Sequence, residues 1–170
     1  MIRHSTVNPT TIILFGVAGS GKSTLGKALA CEVGGQFLDA DDYHDPENKD
    51  KMGQGIPLDD RDREAWLERI HQLLVKHQQS SSPTILACSA LKEKYRKSLS
   101  RGLQKPPLWI LLTGPSSLLQ KRLQKRSGHF VGANLLESQV KTLEIPDYAV
   151  QLDIRPPISC LIKSIQRHLK

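Results

Sequence analysis

The residues whose types and spacing most clearly predict chemistry form one run near the start of the chain. The run from Gly16 to Ser23 reads G-V-A-G-S-G-K-S and fits the pattern G-x-x-x-x-G-K-[ST] at every required position. In this pattern glycines let backbone N–H groups turn toward a triphosphate, Lys22 reaches its β- and γ-phosphates, and the Ser23 hydroxyl can ligate Mg²⁺. The spacing therefore predicts that this chain binds ATP or GTP.

The segments on either side of this phosphate loop support that prediction. The apolar run at 11–15 predicts a buried strand, and Leu25, Leu29 and Val33 follow helical spacing, so the loop would join a strand to a helix N-terminus. A glycine-rich turn without a ligand is the alternative, and these flanks disfavour it. We expect nucleotide contacts from Gly16, Val17, Ala18, Gly19, Ser20, Gly21, Lys22, Ser23 and Thr24.

Three aspartates follow the second predicted strand. Asp39, Asp41 and Asp42 lie where that strand ends, and ligands of open α/β sheets gather beyond the carboxyl ends of the strands. One carboxylate can hold a Mg²⁺-bound water while another orients or deprotonates a substrate hydroxyl. The alternative is a solvated acidic turn that caps a helix. We favour the functional interpretation, because the third predicted strand ends in Cys88-Ser89 and supplies no carboxylate for the metal.

Length and composition exclude several classes of protein. The 170 residues suit one domain, and no apolar run approaches the roughly 20 residues that span a bilayer. The first ten residues lack the apolar segment of a secretory signal. The cysteines Cys31, Cys88 and Cys160 lack metal-ligand spacing and predict reduced, mostly buried thiols in a cytoplasmic protein. The net charge of +7, without a block of consecutive Lys and Arg and with few aromatic residues, favours small polyanionic ligands over nucleic acid.

Segments with strand and helix patterns alternate along the chain and must position these residues. This alternation predicts an α/β fold, with a five-stranded parallel sheet covered on both faces by helices in one domain, 1–170. The strands are expected at 11–15, 36–39, 84–88, 108–113 and 150–154. We also expect a tail at 1–10, a polar, turn-rich segment at 40–60, and a mobile lid at 126–134, where Ser127 to Ala133 have the composition of a loop.

Longer motifs between these elements carry a family resemblance. They are F-L-D-A-D-D-Y-H at 37–44, N-x-x-K-M-x-x-G-I-P-L-x-D-x-D-R at 48–63, C-S-A-L-K-x-x-Y-R at 88–96, R-L-x-x-R-x-G-H-F at 122–130, and L-L-x-S-Q-x-x-T-L-E-x-P at 135–146. Over about 11–154 the chain resembles gluconokinases of the small phosphate-loop type. It departs from the family pattern at three positions, where Asp45, Ala65 and Val140 replace the usual Pro, Pro and Phe.

The resemblance implies a three-layer P-loop kinase fold and ATP-dependent phosphorylation of D-gluconate at its 6-hydroxyl, which gives 6-phosphogluconate and ADP. It also implies ATP and Mg²⁺ as cofactors, and relatives of this kind are often homodimers. Lys22, Asp41 and Arg126 would then be catalytic, with Asp41 as orienter and candidate base of the attacking hydroxyl. Ser23 and Asp39 would serve the metal, Asp39 through water.

The remaining assignments place cations around both substrates. Arg122 would stack on the base, and Arg126, four residues later, would neutralise charge on the γ-phosphoryl. Arg63 is the best candidate for bidentate capture of the gluconate carboxylate. The other substrate contacts expected are Asp41, His44, Lys92, Tyr95, Arg96 and His129.

Each of these assignments has an alternative in which the residue has no functional role. Arg63, taken alone, would suit a charge on the surface of a helix. Lys92 and Arg96 would suit a solvated basic helix face, and so would the pair Arg122 and Arg126. Trp66 is interpreted as the first core anchor of its helix, and Cys88 as core. Two other functions stay open from the residues: another small-molecule kinase of the same fold, such as a shikimate or nucleoside monophosphate kinase, or a nucleotide-binding regulator without transfer activity.

Overall fold

A parallel sheet of five strands forms the centre of the molecule. The structure is a computed structural model that describes residues 11–127 and 131–169, without the side chains at 126–127 and 131–133. The strands are β1 (Thr11–Phe15), β2 (Gln36–Asp39), β3 (Thr84–Ala87), β4 (Leu108–Thr113) and β5 (Val150–Asp153). The sheet order is β2-β3-β1-β4-β5, and every neighbouring pair is parallel, as predicted.

Helices cover both faces of this sheet. The helices in the described ranges are α1 (Lys22–Val33), α2 (Pro46–Gly53), α3 (Asp60–His77), α4 (Glu93–Ser100), α5 (Ser116–Ser127), α6 (Val131–Thr142) and α7 (Ile158–Gln166). None of them is long and apolar enough to cross a membrane. Alternate residues of the fully buried β1 point to opposite faces: Ile12 and Leu14 pack with α1, α5 and α7, whereas Ile13 and Phe15 pack with α3 and α4. The predicted three-layer α/β architecture is confirmed.

The segment 40–60 contains more helix than its polar composition predicts. A 3₁₀ turn spans Ala40–Tyr43 and α2 follows it. The Asp45 side chain accepts a hydrogen bond from the Asn48 N–H and caps α2, which begins with Pro46. This helix has no apolar stripe, since the residue it buries is Asn48, so hydrophobic periodicity does not reveal it. The Asp-Pro start was the local signal available in the sequence.

Part of the loop predicted near residue 130 is helical. Helix α5 continues through Ser127, and α6 begins at Val131, so both helices extend into the predicted loop at 127–133. The predicted contact His129 lies outside the described residues, as does the tail at 1–10. A second correction concerns the thiols: Cys88 is buried, but Cys31 and Cys160 are exposed.

Candidate active site

The phosphate loop leaves β1 and enters α1 through glycines with left-handed backbone. Gly19 has φ +79°, and a Cβ there would lie 2.9 Å from the Leu119 carbonyl oxygen, so the position requires glycine. Gly21 has φ +88° and directly precedes α1. Lys22 extends back over the loop, and its Nζ donates to the carbonyl oxygens of Gly16 and Val17 at 3.0 Å each. The loop thus places one cation beside backbone N–H groups at a helix N-terminus, which is the arrangement that binds phosphate.

Ser23 and Asp39, the two residues that the resemblance assigns to the metal, lie together. The Ser23 hydroxyl donates to Asp39 Oδ2 at 2.6 Å, and the other carboxylate oxygen accepts from the Asp41 N–H at 3.2 Å. Over the described residues, no group of three or more His, Cys, Asp or Glu side chains could hold a metal ion. One hydroxyl beside one carboxylate suits Mg²⁺, which keeps several waters and shares substrate phosphates. The hydroxyl and the carboxylate therefore fit magnesium.

Asp41 and His44 are neighbours across the 3₁₀ turn. His44 Nε2 lies 4.0 Å from Asp41 Oδ1. Desolvation, reinforced by the Asp39 charge and opposed by Lys22, raises the pKa of Asp41 above its ordinary value. Burial lowers the pKa of His44 to about 4, so its imidazole is neutral at pH 7. The pair therefore combines a carboxylate acceptor with a neutral imidazole.

Trp66 on α3 fixes the position of this turn through two contacts. Its indole N–H donates to the Ala40 carbonyl oxygen at 2.7 Å, and its ring stacks on His44 with centroids 4.3 Å apart and planes 9° apart. Trp66 is buried in the core between α3, which carries it, and the sheet. This confirms its interpretation as a core anchor. The structure also leaves His44 Nδ1 buried without a hydrogen-bond partner among the described residues.

A second group of polar side chains surrounds Asp60 at the start of α3. The Tyr95 hydroxyl donates to Asp60 Oδ1 at 2.5 Å, Lys92 Nζ lies 3.4 Å from the same oxygen, and Lys94 binds the other oxygen. These hydrogen bonds, from Lys94 first and then Tyr95, hold the pKa of Asp60 well below its usual range. Arg63 joins the group, with its guanidinium carbon 5.7 Å from the Tyr95 ring centroid. Three predicted substrate residues, Arg63, Lys92 and Tyr95, are thus brought together.

Asp60 was not among the residues assigned from the sequence. The signal for it was its place in the D-x-D-R motif beside Arg63, although the motif alone does not say which carboxylate the later lysines contact. Its partners, which lie in the first turn of α4 and just before it, are 32 to 35 residues away in the chain. Only the packing of α3 on α4 reveals this contact.

Arg96, predicted beside Lys92 at the substrate, points into the protein instead. It is 1 % exposed, its guanidinium lies 5.3 Å from the Phe15 ring centroid, and it belongs neither to the Asp60 group nor to a solvated basic face. Its donors are all directed at protein acceptors. These are Glu93 Oε2, the Tyr148 hydroxyl and the carbonyl oxygens of Ala90, Leu91 and Glu144.

A pocket of about 370 Å³ opens on the other side of the phosphate loop. Arg122, expected near the base, lines it and donates to the Ile154 carbonyl oxygen at 3.4 Å. Arg126 lies in the last turn of α5, and its side chain is outside the described part. The apolar wall of this pocket, formed by Ile154, Pro156, Ile158 and Leu161, is not among the positions assigned from the sequence. The end of β5 was a signal for it, because ligands of such sheets bind beyond the carboxyl ends of the strands. The pocket residues are Gly19, Ser20, Gly21, Thr24, Leu25, Arg122, Lys125, Ile154, Pro156, Ile158 and Leu161.

One further side chain reaches the phosphate loop from α6. Gln139 Oε1 accepts a hydrogen bond from the Ala18 N–H at 2.6 Å, across 121 residues of sequence. Gln139 is part of the S-Q pair in the family-like motif at 135–146, but the sequence gives no partner for it.

Comparison with known proteins gives consistent results along nearly the whole chain. Residues 12–146 match the family model described as AAA domain. A probable gluconokinase of Xenopus tropicalis is 39% identical and the match covers 91% of this chain and 90% of that protein; a gluconokinase of Gluconobacter oxydans is 40% identical, with 86% and 83% covered. The crystal structure of a gluconokinase from Sinorhizobium meliloti superposes with a TM-score of 0.83 at 38% identity and covers 95% of this chain and 92% of that one.

Proposed function

This chain belongs to the gluconokinase family of P-loop kinases, and we propose that it transfers the γ-phosphoryl group of ATP to the 6-hydroxyl of D-gluconate. The observation that carries this proposal is a juxtaposition at one sheet edge. The carboxyl ends of β1, β2 and β3 hold the phosphate loop, the Asp39–Asp41 pair and the loop to Lys92. A nucleotide donor site and a site for a hydroxylated anion therefore adjoin each other.

The donor side binds ATP through its phosphates and its base. The backbone N–H groups of the loop and Lys22 bind the β- and γ-phosphates. The pocket beside Arg122, with its apolar wall of Pro156, Ile158 and Leu161, combines the apolar and cationic groups that an adenine ring contacts. Arg126, carried over from the resemblance, neutralises charge on the transferred group.

Ser23 and Asp39 would hold Mg²⁺, Asp39 through a water molecule. When bound, the ion neutralises charge on the β- and γ-phosphate oxygens. The 2.6 Å hydrogen bond between the two side chains supports this assignment, because it places a hydroxyl ligand and a carboxylate at one point beside the loop.

Asp41 orients the attacking hydroxyl and accepts its proton. The carboxylate lies in the turn after β2, and its backbone N–H is bound by Asp39. Phosphoryl transfer demands chiefly positioning and charge stabilisation, so a carboxylate held in this turn can serve both as hydrogen-bond acceptor and as proton acceptor. The neutral His44 offers a neighbouring hydrogen-bonding group for a sugar hydroxyl.

Arg63, Lys92 and Tyr95 receive the carboxylate end of gluconate. Arg63 and Lys92 both bring positive charge to the Tyr95 ring, at 5.7 and 5.6 Å from its centroid. A guanidinium and an ammonium beside a hydroxyl are the donors that a carboxylate with an adjacent hydroxyl needs. On the resemblance we also propose that His129 contacts gluconate. The segment 40–60 would then bind the acceptor, and the segment 126–134 would form a lid.

A coupled ADP-release assay across gluconate, shikimate, AMP and CMP tests the proposal. We expect gluconate alone to stimulate turnover, and Lys22→Met to abolish it because the phosphates lose their cation. Turnover with another acceptor but not with gluconate would refute the substrate assignment. Nucleotide binding without turnover on any acceptor would instead support a regulator.

We also propose a cytoplasmic homodimer. The exposed free thiols Cys31 and Cys160 suit a reducing compartment, and the dimer rests on the resemblance alone. Sedimentation velocity tests the dimer, since a single species at the mass of 19.0 kDa would contradict it.

A further inference from the structure

Helix α6 and the residues just after it contact both halves of the proposed site. Gln139, in the last turn of α6, binds the phosphate loop, and Glu144, two residues beyond the end of the helix, binds the residues on either side of Lys92. The two contacts are five residues apart, and the Leu143 N–H donates to the Gln139 carbonyl oxygen at 2.9 Å, which continues the helical hydrogen bonding between them. A displacement at one contact is therefore carried to the other.

The donor-side contact involves a backbone group that phosphate also binds. Ala18 lies within the G-x-x-x-x-G-K-[ST] loop, whose N–H groups turn toward phosphate oxygens. Its N–H donates to Gln139 Oε1 at 2.6 Å. A γ-phosphate oxygen is an acceptor of the same kind, and one N–H donates well to only one acceptor. Binding of the triphosphate and the position of Gln139 are thus linked.

The acceptor-side contact holds the residues on either side of Lys92. The Glu144 N–H donates to the Leu91 carbonyl oxygen at 2.9 Å, and Glu144 Oε2 accepts from the Glu93 N–H at 2.5 Å. The Glu144 carbonyl oxygen accepts from Arg96 at 2.8 Å, and Arg96 also binds the Leu91 carbonyl oxygen at 3.1 Å. The position of Lys92 therefore follows the position of Glu144.

We propose that Gln139 is a positioning residue that couples the two substrate sites, so that bound ATP raises the affinity for gluconate through α6 and Glu144. The inference rests on the proposed function, because it takes ATP and gluconate as the two ligands. Coupling of this kind is reciprocal: gluconate raises the affinity for the triphosphate by the same factor.

Isothermal titration of gluconate, with and without a saturating non-hydrolysable ATP analogue, measures the coupling. We expect the analogue to tighten gluconate binding about fivefold or more in the native protein. Gln139→Met removes the acceptor of the Ala18 N–H and should reduce this factor below about twofold. The matched control Glu137→Gln lies on the same helix, is exposed and pairs only with Lys141 among the described residues, so it should keep the native factor.

Rescue separates positioning from a purely structural role. Gln139→Glu keeps an oxygen acceptor of the same reach and should retain the coupling that the Met variant loses. A structural role would lower the melting temperature of the Met variant and leave its coupling factor unchanged, which would overturn the proposal. The proposal would also be overturned if the ATP analogue left the gluconate affinity of the native protein unchanged.

The native protein alone gives a second test. Addition of the ATP analogue should change the hydrogen exchange of the Glu93 N–H, and unchanged exchange there would contradict the coupling. If gluconate is phosphorylated but the coupling is absent, the inference fails and the proposed function stands. If gluconate neither binds nor is phosphorylated, both fail.

Discussion

Substitution of the buried Arg96 by methionine should destabilise the fold and loosen the acceptor site together. Arg96 is 1 % exposed, and its guanidinium satisfies the Glu93 carboxylate and three backbone carbonyl oxygens. Methionine fills much of the volume but donates no hydrogen bond, so these acceptors would lose their partner. A buried acceptor that loses its donor costs about 1–3 kcal/mol, so the loss of the three carbonyl contacts should cost about 3–5 kcal/mol in total.

This loss should appear in both stability and kinetics. For a chain of this length, each kcal/mol lowers the melting temperature by about 2–4 °C, so we expect a decrease of roughly 10 °C by calorimetry. Because the Ala90 and Leu91 carbonyl oxygens lie next to Lys92, the KM for gluconate should rise as well. Lys97→Met is the matched control, since Lys97 lies exposed on the same helix.

The opposite pattern would refute this reasoning. If Arg96 bound gluconate directly, Arg96→Met would raise the KM for gluconate while the melting temperature stayed within about 1 °C of the native value. Buried polar networks respond differently, because stability and site geometry depend on the same hydrogen bonds. Arg96→Lys should be intermediate, since an ammonium keeps the charge but cannot reach all of these acceptors.

Three other substitutions test the site residues themselves. Asp41→Asn should lower kcat by about 10²–10⁴ and leave ATP affinity within a few-fold; an unchanged kcat would remove Asp41 from the chemistry. Arg63→Ala should raise the KM for gluconate by about 10–100-fold with kcat largely retained, whereas unchanged gluconate kinetics would show that the carboxylate binds elsewhere. The His44 pKa is lowered from 6.5 to about 4, so the unfolded chain binds a proton in this range that the folded chain does not, and the free energy of unfolding should fall by about 2–3 kcal/mol as pH drops through it. Urea titrations at pH 7 and pH 4.5 measure this loss, and His44→Gln should remove it; an equal loss in the variant would assign it to other groups.

The phosphate loop, the strands and the Ser23–Asp39 pair could be predicted from sequence because their signals are local. The loop needs a fixed spacing of glycine, lysine and serine, and Asp39 needs only to follow a strand of a parallel sheet. Helix α2 is not predicted, because it lacks such a local signal: its start is capped, but it has no apolar stripe with a helical period.

Arg96 and Gln139 show where local signals end. Lys92 and Arg96 are four residues apart, and spacing on one helix predicts that both face the same way. However, Lys92 stands just before α4, while Arg96 lies a turn inside it, where the Glu144 carbonyl oxygen and Tyr148, about 50 residues later, supply its acceptors. Gln139 meets Ala18 across 121 residues. A polar side chain whose partners come from distant segments has no sequence period, so only the packed structure tells whether it serves the ligand directly or holds in place the residues that do.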